Sequence, residues 1–544
     1  MNLYTERDSK LLVEKVDEII KNADEISSKI VKPTVDDLWE IIFTVRDFVK
    51  ERKRKIYGGF ALNKLIEEIQ PSDKFYSDDD IKSWDIDFYS PDPINDAKEI
   101  ANRLHKKGFK HVRAGEALHD ETYKVFAETN ACADITYVPK NIYNKMPFKE
   151  INGLYLTGPH YMMIDYFRVM TDPLTSYFRL EKTFTRLCLM LKHFPLPKNT
   201  SNIDCTPPDR NLDIAFRTVH DFLTDKTTTI VVGMYAYNQL IRESGIVKKE
   251  NNLKRSKSGH NNNNITNQNV KSKCIMTNRS KIDYVDINYY EVISTHYKRD
   301  ARDLILELRN KFPTSGESLV TYKENYPFFQ YLGYSVDILF DNEIVCRIYH
   351  YNSRCTPYFD VPAYYFKKSE YEEMKGTIRI GTFATLMLYN LINVMRARTN
   401  NDHNTKNLYY TLISHMIELK NYYLERTKKN IFDDSLFQEF VLRCVGETTT
   451  PHMEKEIRVD KKIKAGKKYS WSYNPSNERD RANDTKYQFK NSSGNQINNV
   501  KNMKIDLTSN YIDDEDIDNI NDEDENLEEN EKMIPEKNNK FNQI

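Results

Sequence analysis

Ten residues, Tyr57-Gly58-Gly59-Phe60-Ala61-Leu62-Asn63-Lys64-Leu65-Ile66, are answered by Val232-Gly233-Met234-Tyr235-Ala236-Tyr237-Asn238-Gln239-Leu240-Ile241 at a constant offset of 175. Farther on, Ala301, Leu304, Ile305 and Leu308 answer Ala97, Ile100, Ala101 and Leu104 at an offset of 204. The growing offset locates an insertion between Glu250 and Lys281, where Ser256-Lys257-Ser258-Gly259-His260 and the four asparagines after it form a low-complexity stretch that predicts disorder. Val336-Asp337-Ile338-Leu339 then reads as the answer to Ala133-Asp134-Ile135-Thr136. Two tandem copies of one α+β module are therefore predicted. A chain of 544 residues and 64.3 kDa has room for both and for accessory segments.

The first copy carries the chemistry. Gly58 and Gly59 end a short strand entered from the basic run Lys50-Glu51-Arg52-Lys53-Arg54-Lys55 and open a helix whose inward residues, Leu62, Leu65, Ile66 and Ile69, fall at helical spacing. A di-glycine at such a junction lets phosphate oxygens reach backbone N–H groups, and a helix start favours negative charge. Asp85 and Asp87 stand two apart with Ile86 and Phe88 between and after them, so on a strand the carboxylates share one face and the apolar pair the other. Asp134 lies on a second strand of the same kind. Three carboxylates beside a phosphate cradle suit two divalent cations and an in-line phosphoryl transfer. The second copy departs at these positions: Gly59 becomes Met234, Asp85 aligns with Tyr289, Asp87 with Glu291, and Asp337 is read as the keeper of the Asp134 position. An inactive second copy is expected.

Composition narrows the remaining classes. The longest apolar run, Phe383 to Met395, contains Asn390 and Asn393 and is too short to span a bilayer; the N-terminal residues lack a secretory apolar core. The seven cysteines are odd in number and without CxxC spacing, which argues against zinc and against a disulfide framework. The net charge of −1 conceals an asymmetry: residues 513–531 hold twelve acids and no base, so the rest of the chain sets 80 basic against 69 acidic residues and should attract polyanions.

In order along the chain, two amphipathic helices are predicted over 1–50, split at Pro33-Thr34, followed by the catalytic module over 51–194, with a loop around Asp78, Asp79 and Asp80. Within 174–193, Arg179, Lys182 and Arg186 share one helical face, which is either a solvated cationic surface or a contact for triphosphate or RNA. A linker is read over 195–221, the degenerate module over 222–375 with its insertion at 250–281, and C-terminal helices over 376–446. A disordered tail is read over 447–544. His403 and His415 have no Cys or His at ligand spacing and read as ordinary helix residues.

The Gly-Gly turn, the helix, the Asp-x-Asp strand and the third Asp together resemble the polymerase-beta-like nucleotidyltransferases. With Ser176-Tyr177-Phe178-Arg179-Leu180-Glu181-Lys182 and the degenerate second copy, roughly residues 30–445 resemble the poly(A) polymerase catalytic subunits of large cytoplasmic DNA viruses, the giant-virus form more than the poxviral one. Two features depart from the family pattern: the interval from Gly59 to Asp85 is longer than the superfamily's commonest spacing, and the chain has less sequence before the module than the poxviral relatives. The resemblance implies two tandem modules, the first catalytic and the second degenerate. It also implies template-independent transfer of AMP from ATP to the single-stranded 3′ end of viral mRNA. Asp85, Asp87 and Asp134 would hold two Mg²⁺ or Mn²⁺ ions, and Gly58, Gly59, Arg179 and Lys182 would bind ATP. It places the enzyme in a virion or the host cytoplasm, without a membrane, and leaves a second copy of the chain or a viral processivity subunit as the means of retaining the tail. Transfer of another nucleotide, or RNA binding without catalysis, are the alternatives.

Overall fold

The computed structural model describes residues 3–30, 33–77, 85–172, 174–197, 210–245, 284–312, 316–367, 370–466 and 470–482. The chain divides into two compact units: residues 1–162, 192–194 and 449–490 make one, and 163–191, 195–448 and 491–544 the other. The acidic loop at Asp78–Asp80, the insertion 250–281 and the acidic run 513–531 lie outside the described residues.

In the first unit, helices Glu6–Ile30 and Val35–Glu51 flank Pro33, as predicted. Thr34 starts the second through a capping box: its Oγ1 accepts from the Asp37 N–H at 3.1 Å and the Asp37 carboxylate accepts from the Thr34 N–H at 2.9 Å. That helix buries Ile41, Ile42, Val45, Phe48 and Val49, whereas Leu12, Val16, Ile19 and Ile20 of the first remain exposed. The unit is built on strands β1 (Lys55–Ile56), β2 (Ile86–Ser90), β3 (Arg113–Glu116), β4 (Thr122–Ala127), β5 (Asn130–Tyr137), β6 (Phe148–Ile151) and β7 (Leu154–Thr157). Their order is β3-β4-β5-β2-β1-β7-β6, with β2–β5 and β1–β7 parallel and the other pairs antiparallel.

The second unit repeats this order with β8 (Thr229–Val232), β9 (Tyr290–Ser294), β10 (Val320–Asn325), β11 (Ser335–Phe340), β12 (Glu343–His350), β13 (Thr356–Lys367) and β14 (Glu370–Gly381), arranged β10-β11-β12-β9-β8-β14-β13. The pairing senses match strand for strand: β9–β12 and β8–β14 are parallel, the rest antiparallel. Detail is copied as well. Ser90 Oγ donates to Asp96 at 2.5 Å and Ser294 Oγ to Asp300 at 2.6 Å; Arg54 pairs with Asp96 and Lys226 with Asp300. Asn63 and Asn238 each use a buried side chain to tie down a following loop. The predicted duplication is a feature of the tertiary structure.

The topology corrects one alignment. In the first sheet Asp87 pairs with Asp134 across β2–β5, and Lys124 pairs with Asp134 across β4–β5. In the second sheet Glu291 pairs with Arg347 across β9–β12, and Asp337 pairs with Arg347 across β11–β12. Arg347 therefore occupies the Asp134 position, and Asp337 that of Lys124. Local resemblance around Asp337 placed it one strand too far along, because β4 and β5 share apolar patterning and only pairing distinguishes them.

Three further expectations change. Cys355 and Cys444 form a disulfide, contrary to the argument against disulfides from cysteine number and spacing: β15 (Cys444–Val445) pairs with the start of β13 and brings the two sulfurs together across 89 residues of sequence. Helix Arg210–Leu223 occupies the later part of the stretch read as a linker. The polar tail is structured at its beginning: helix Pro451–Lys464 is capped by Thr450, and β16 (Ser472–Tyr473) adds to the edge of the first sheet against β3. Tyr473 is buried and its hydroxyl donates to Asn102 at 2.8 Å, while Trp471 packs edge-on against Tyr123 and Arg458 donates to the Leu118 carbonyl at 2.9 Å, so several contacts anchor this polar segment. The cationic segment is a 3₁₀ turn, Tyr177–Arg179, leading into helix Leu180–His193.

Among the described residues no helix is long and apolar enough to cross a membrane. The apolar run from Phe383 is the buried helix Phe383–Thr399. His415 is a core residue accepting or donating at 3.0 Å to the Tyr237 hydroxyl, and His220 is likewise buried beside Tyr290. Burial lowers both imidazoles to about 4 from the ordinary 6.5. Such a group contributes its full stability above pH 6.5 and loses it as pH falls toward 4, because the unfolded chain takes up a proton that the fold refuses; by pH 5 the loss is roughly 2 kcal/mol per histidine. The drop in melting temperature between pH 7.5 and pH 5 is thus expected to be smaller for His220→Gln than for the wild type, and an equal drop would contradict the burial argument.

Candidate active site

Asp85, Asp87 and Asp134 converge. One carboxylate oxygen from each lies within 4.8 Å of the others, and all three residues are half-buried. The arrangement follows from register. Asp87 and Asp134 are cross-strand neighbours on the parallel pair β2–β5, and Asp85, just before β2, points to the same side because side chains alternate along the chain. Ile86 and Phe88 are fully buried on the opposite face. A bridge from the Tyr57 hydroxyl to Thr136 Oγ1 at 2.8 Å, with Tyr57 stacked on Tyr89 at 4.1 Å, fastens the strand bearing Asp134 to the entry of the glycine turn.

Gly58 meets the cluster directly. Its φ is +74°, and a Cβ there would come within 2.5 Å of Asp87 Oδ2. Both the backbone conformation and the close approach require glycine. The helix Gly58–Ile69 has no side-chain cap at its start, and its first residue, Gly58, lies against the Asp87 carboxylate. Gly233 repeats the geometry against Glu291, with φ +65° and a Cβ within 2.2 Å of Oε2.

One member of the site escaped sequence reading. Lys124 on β4 places Nζ 2.7 Å from Asp134 Oδ2 and 3.8 Å from Asp85 Oδ2. Its only signal was a lone cation inside the apolar alternation Tyr123-Lys124-Val125-Phe126. Burial works against the ammonium, but the Asp134, Asp85 and Asp87 carboxylates together outweigh it and raise its pKa. Burial likewise lifts the Asp134 carboxyl above its ordinary value, and Lys124 offsets this only in part. Asp134 Oδ1 is buried with no hydrogen-bond partner among the described residues. Hard oxygen donors, one of them buried and without a hydrogen-bond partner among the described residues, could hold a metal ion.

At the corresponding place in the second unit, the groups are spent on one another. Glu291 is buried and accepts from Tyr349 Oη at 2.6 Å, Tyr409 Oη at 3.0 Å and Asn393 Nδ2 at 3.1 Å. Arg347 donates to both oxygens of Asp337, at 2.5 and 2.8 Å, and lies over the Tyr289 ring. Met234, where the first copy has Gly59, is buried.

Arg179 and Lys182 belong to the second compact unit, on the 3₁₀ turn and the helix after it; both are exposed, and Arg179 lies over the Phe178 ring.

A family described as "Poly(A) polymerase catalytic subunit" matches residues 43–176, and one described as the C-terminal part of the APMV poly(A) polymerase catalytic subunit matches residues 218–507. A chain of Acanthamoeba polyphaga mimivirus named for the same subunit is 30% identical, across 97% of this chain and 88% of its own length. One from African swine fever virus, strain Badajoz 1971 Vero-adapted, is 29% identical over 28% of this chain and 33% of its own. The crystal structure of the Megavirus polyadenylate synthase superposes with a TM-score of 0.71 at 29% identity, covering 92% of this chain and 94% of that one.

Proposed function

Because the chain belongs to the family of giant-virus poly(A) polymerase catalytic subunits, a family of nucleotidyltransferases, we propose that its activity resides in the first unit, at Asp85, Asp87 and Asp134. The observation that carries this assignment is the convergence of the three carboxylates against Gly58 in one copy of the fold, where the other copy has Tyr289, Glu291 and Arg347. The reaction is template-independent addition of AMP from ATP to the 3′ hydroxyl of viral mRNA, with release of pyrophosphate. The order of Gly-Gly turn, helix, Asp-x-Asp strand and parallel third-Asp strand supports a polymerase-beta-like origin for both copies.

Asp85 and Asp87 would hold both divalent ions and Asp134 would complete the site of one. Bound there, such ions would neutralise the phosphates and lower the pKa of the attacking hydroxyl. The protein's own part is placement. The N–H groups at Gly58 and Gly59 hold the triphosphate at a helix start, and β2 and β5 fix the carboxylates before substrate arrives, so that little reorganisation is needed during transfer. Arg179 and Lys182 are assigned to the triphosphate or the RNA backbone on the strength of their family segment and their exposure. The second unit serves as scaffold, its acidic positions committed to internal partners. Retention of the growing tail falls to a second copy of the chain or a separate subunit.

Purified protein with an RNA primer, Mg²⁺ or Mn²⁺, and each of the four nucleoside triphosphates separately is expected to build long tails with ATP and only short additions with the others. Equal extension with UTP or CTP would replace the poly(A) assignment by a broader nucleotidyltransferase.

A further inference from the structure

Resting on the metal reading above, we propose that Lys124 is a resident counter-cation of the active site: a positioning residue that holds Asp134 while the site is empty and weakens divalent-ion binding until the ion displaces its ammonium. Its Nζ stands between two of the three proposed ligands, in contact with Asp134 and 3.8 Å from Asp85, where a divalent ion bound by the same oxygens would repel it. Only one Asp134 oxygen is used by Lys124; the other is buried and has no hydrogen-bond partner among the described residues, so the lysine leaves ligand capacity unfilled.

The second unit supplies independent support. The two positions that face each other across β4–β5, Lys124 and Asp134, reappear across β11–β12 as Asp337 and Arg347 with the charges exchanged. A cation–carboxylate pair at this point of the sheet is thus a fixed element of the repeated fold. In the second unit the cation has moved onto the strand that would carry the third ligand, and it engages both Asp337 oxygens. In the first, the cation sits on the neighbouring strand, uses one oxygen, and keeps 31% of its side chain exposed, which gives it somewhere to go. Three carboxylates and one ammonium leave the empty site with two negative charges rather than three. This moderates both the mutual repulsion of the acids and the affinity for the ion.

Mn²⁺ binding to the full-length, nucleotide-free protein at pH 8, followed by the paramagnetic resonance of the free ion, tests this with four proteins. Asp87→Asn is expected to lose one class of bound ion, which identifies the triad's share. Lys124→Met should bind that ion about tenfold more tightly than the wild type, and Lys124→Arg with the wild-type affinity. Lys124→Gln serves as the second charge-free variant should the methionine protein not fold. Equal or weaker affinity in the charge-free variant, with the ion still lost in Asp87→Asn, overturns the role of Lys124 and leaves the metal site standing. Full retention of the ion in Asp87→Asn overturns the metal reading, and the proposal with it.

Discussion

Asp87→Asn loses RNA primer extension with ATP by about a hundred- to a thousandfold in kcat, the range typical of removing one preorganised electrostatic group from an active site. The substitution keeps the shape wedged against Gly58, where a Cβ would already clash at 2.5 Å, and changes only the charge. Asparagine at this position leaves two carboxylates to hold what three were built to hold. It also removes a like charge from a cluster whose ligand oxygens lie within 4.8 Å of one another, so the melting temperature without divalent ions should stay level or rise while activity falls. That opposition separates a functional loss from an unfolded protein. Glu291→Gln, at the corresponding position of the second unit, is the control: kcat should be unchanged at a temperature where the variant is folded. Wild-type extension by Asp87→Asn, or loss of extension in Glu291→Gln alone, would reverse the assignment of catalytic and scaffold copies.

The second large effect is on stability. Arg347→Met is expected to destabilise the second unit by about 3–5 kcal/mol, because it strips the partner from a desolvated carboxylate. Burial pushes the Asp337 carboxyl up, yet the hydrogen bonds and charge of Arg347 outweigh this and hold it below the usual carboxylate range. Without the guanidinium, Asp337 keeps only 6% of its side-chain surface exposed and has lost its bidentate donor. A fall in melting temperature of about 10 °C would follow for a unit of this size. The double variant Asp337→Leu/Arg347→Met should recover most of that loss, since apolar groups of similar size tolerate the same burial. If the single variant melts with the wild type, the pair is solvated and its place in the core must be reconsidered.

Both predictions depend on a distinction between near-identical sheets, and the chain itself reveals only part of it. The duplication, the triad and the glycine turn were legible because each is carried by short-range pattern: a constant offset, alternation along a strand, helical spacing. The helices over 1–50 were legible for the same reason, with Pro33-Thr34 marking their junction and the Thr34 cap confirming it. The ordered start of the tail was not. Its composition is that of a solvated segment, and the pairing of Ser472 and Tyr473 with β3, one of the contacts that order it, joins residues more than 350 positions apart. Cys355 and Cys444 likewise carry no spacing signal, since the strands that unite them meet only when β15 closes on β13.

What the sequence determined by itself is that one fold occurs twice and that acids suited to ion-assisted phosphoryl transfer survive in the first occurrence. What the tertiary structure alone decided is which residue stands opposite which: that Arg347, rather than Asp337, holds the place of Asp134, and that Lys124 lies among the three acids. The reason is physical. Periodicity along a chain fixes which face of a strand a side chain takes. Its neighbours across the sheet are fixed by hydrogen-bond register between distant segments, and a displacement by one strand leaves every local pattern intact while exchanging the charges that meet.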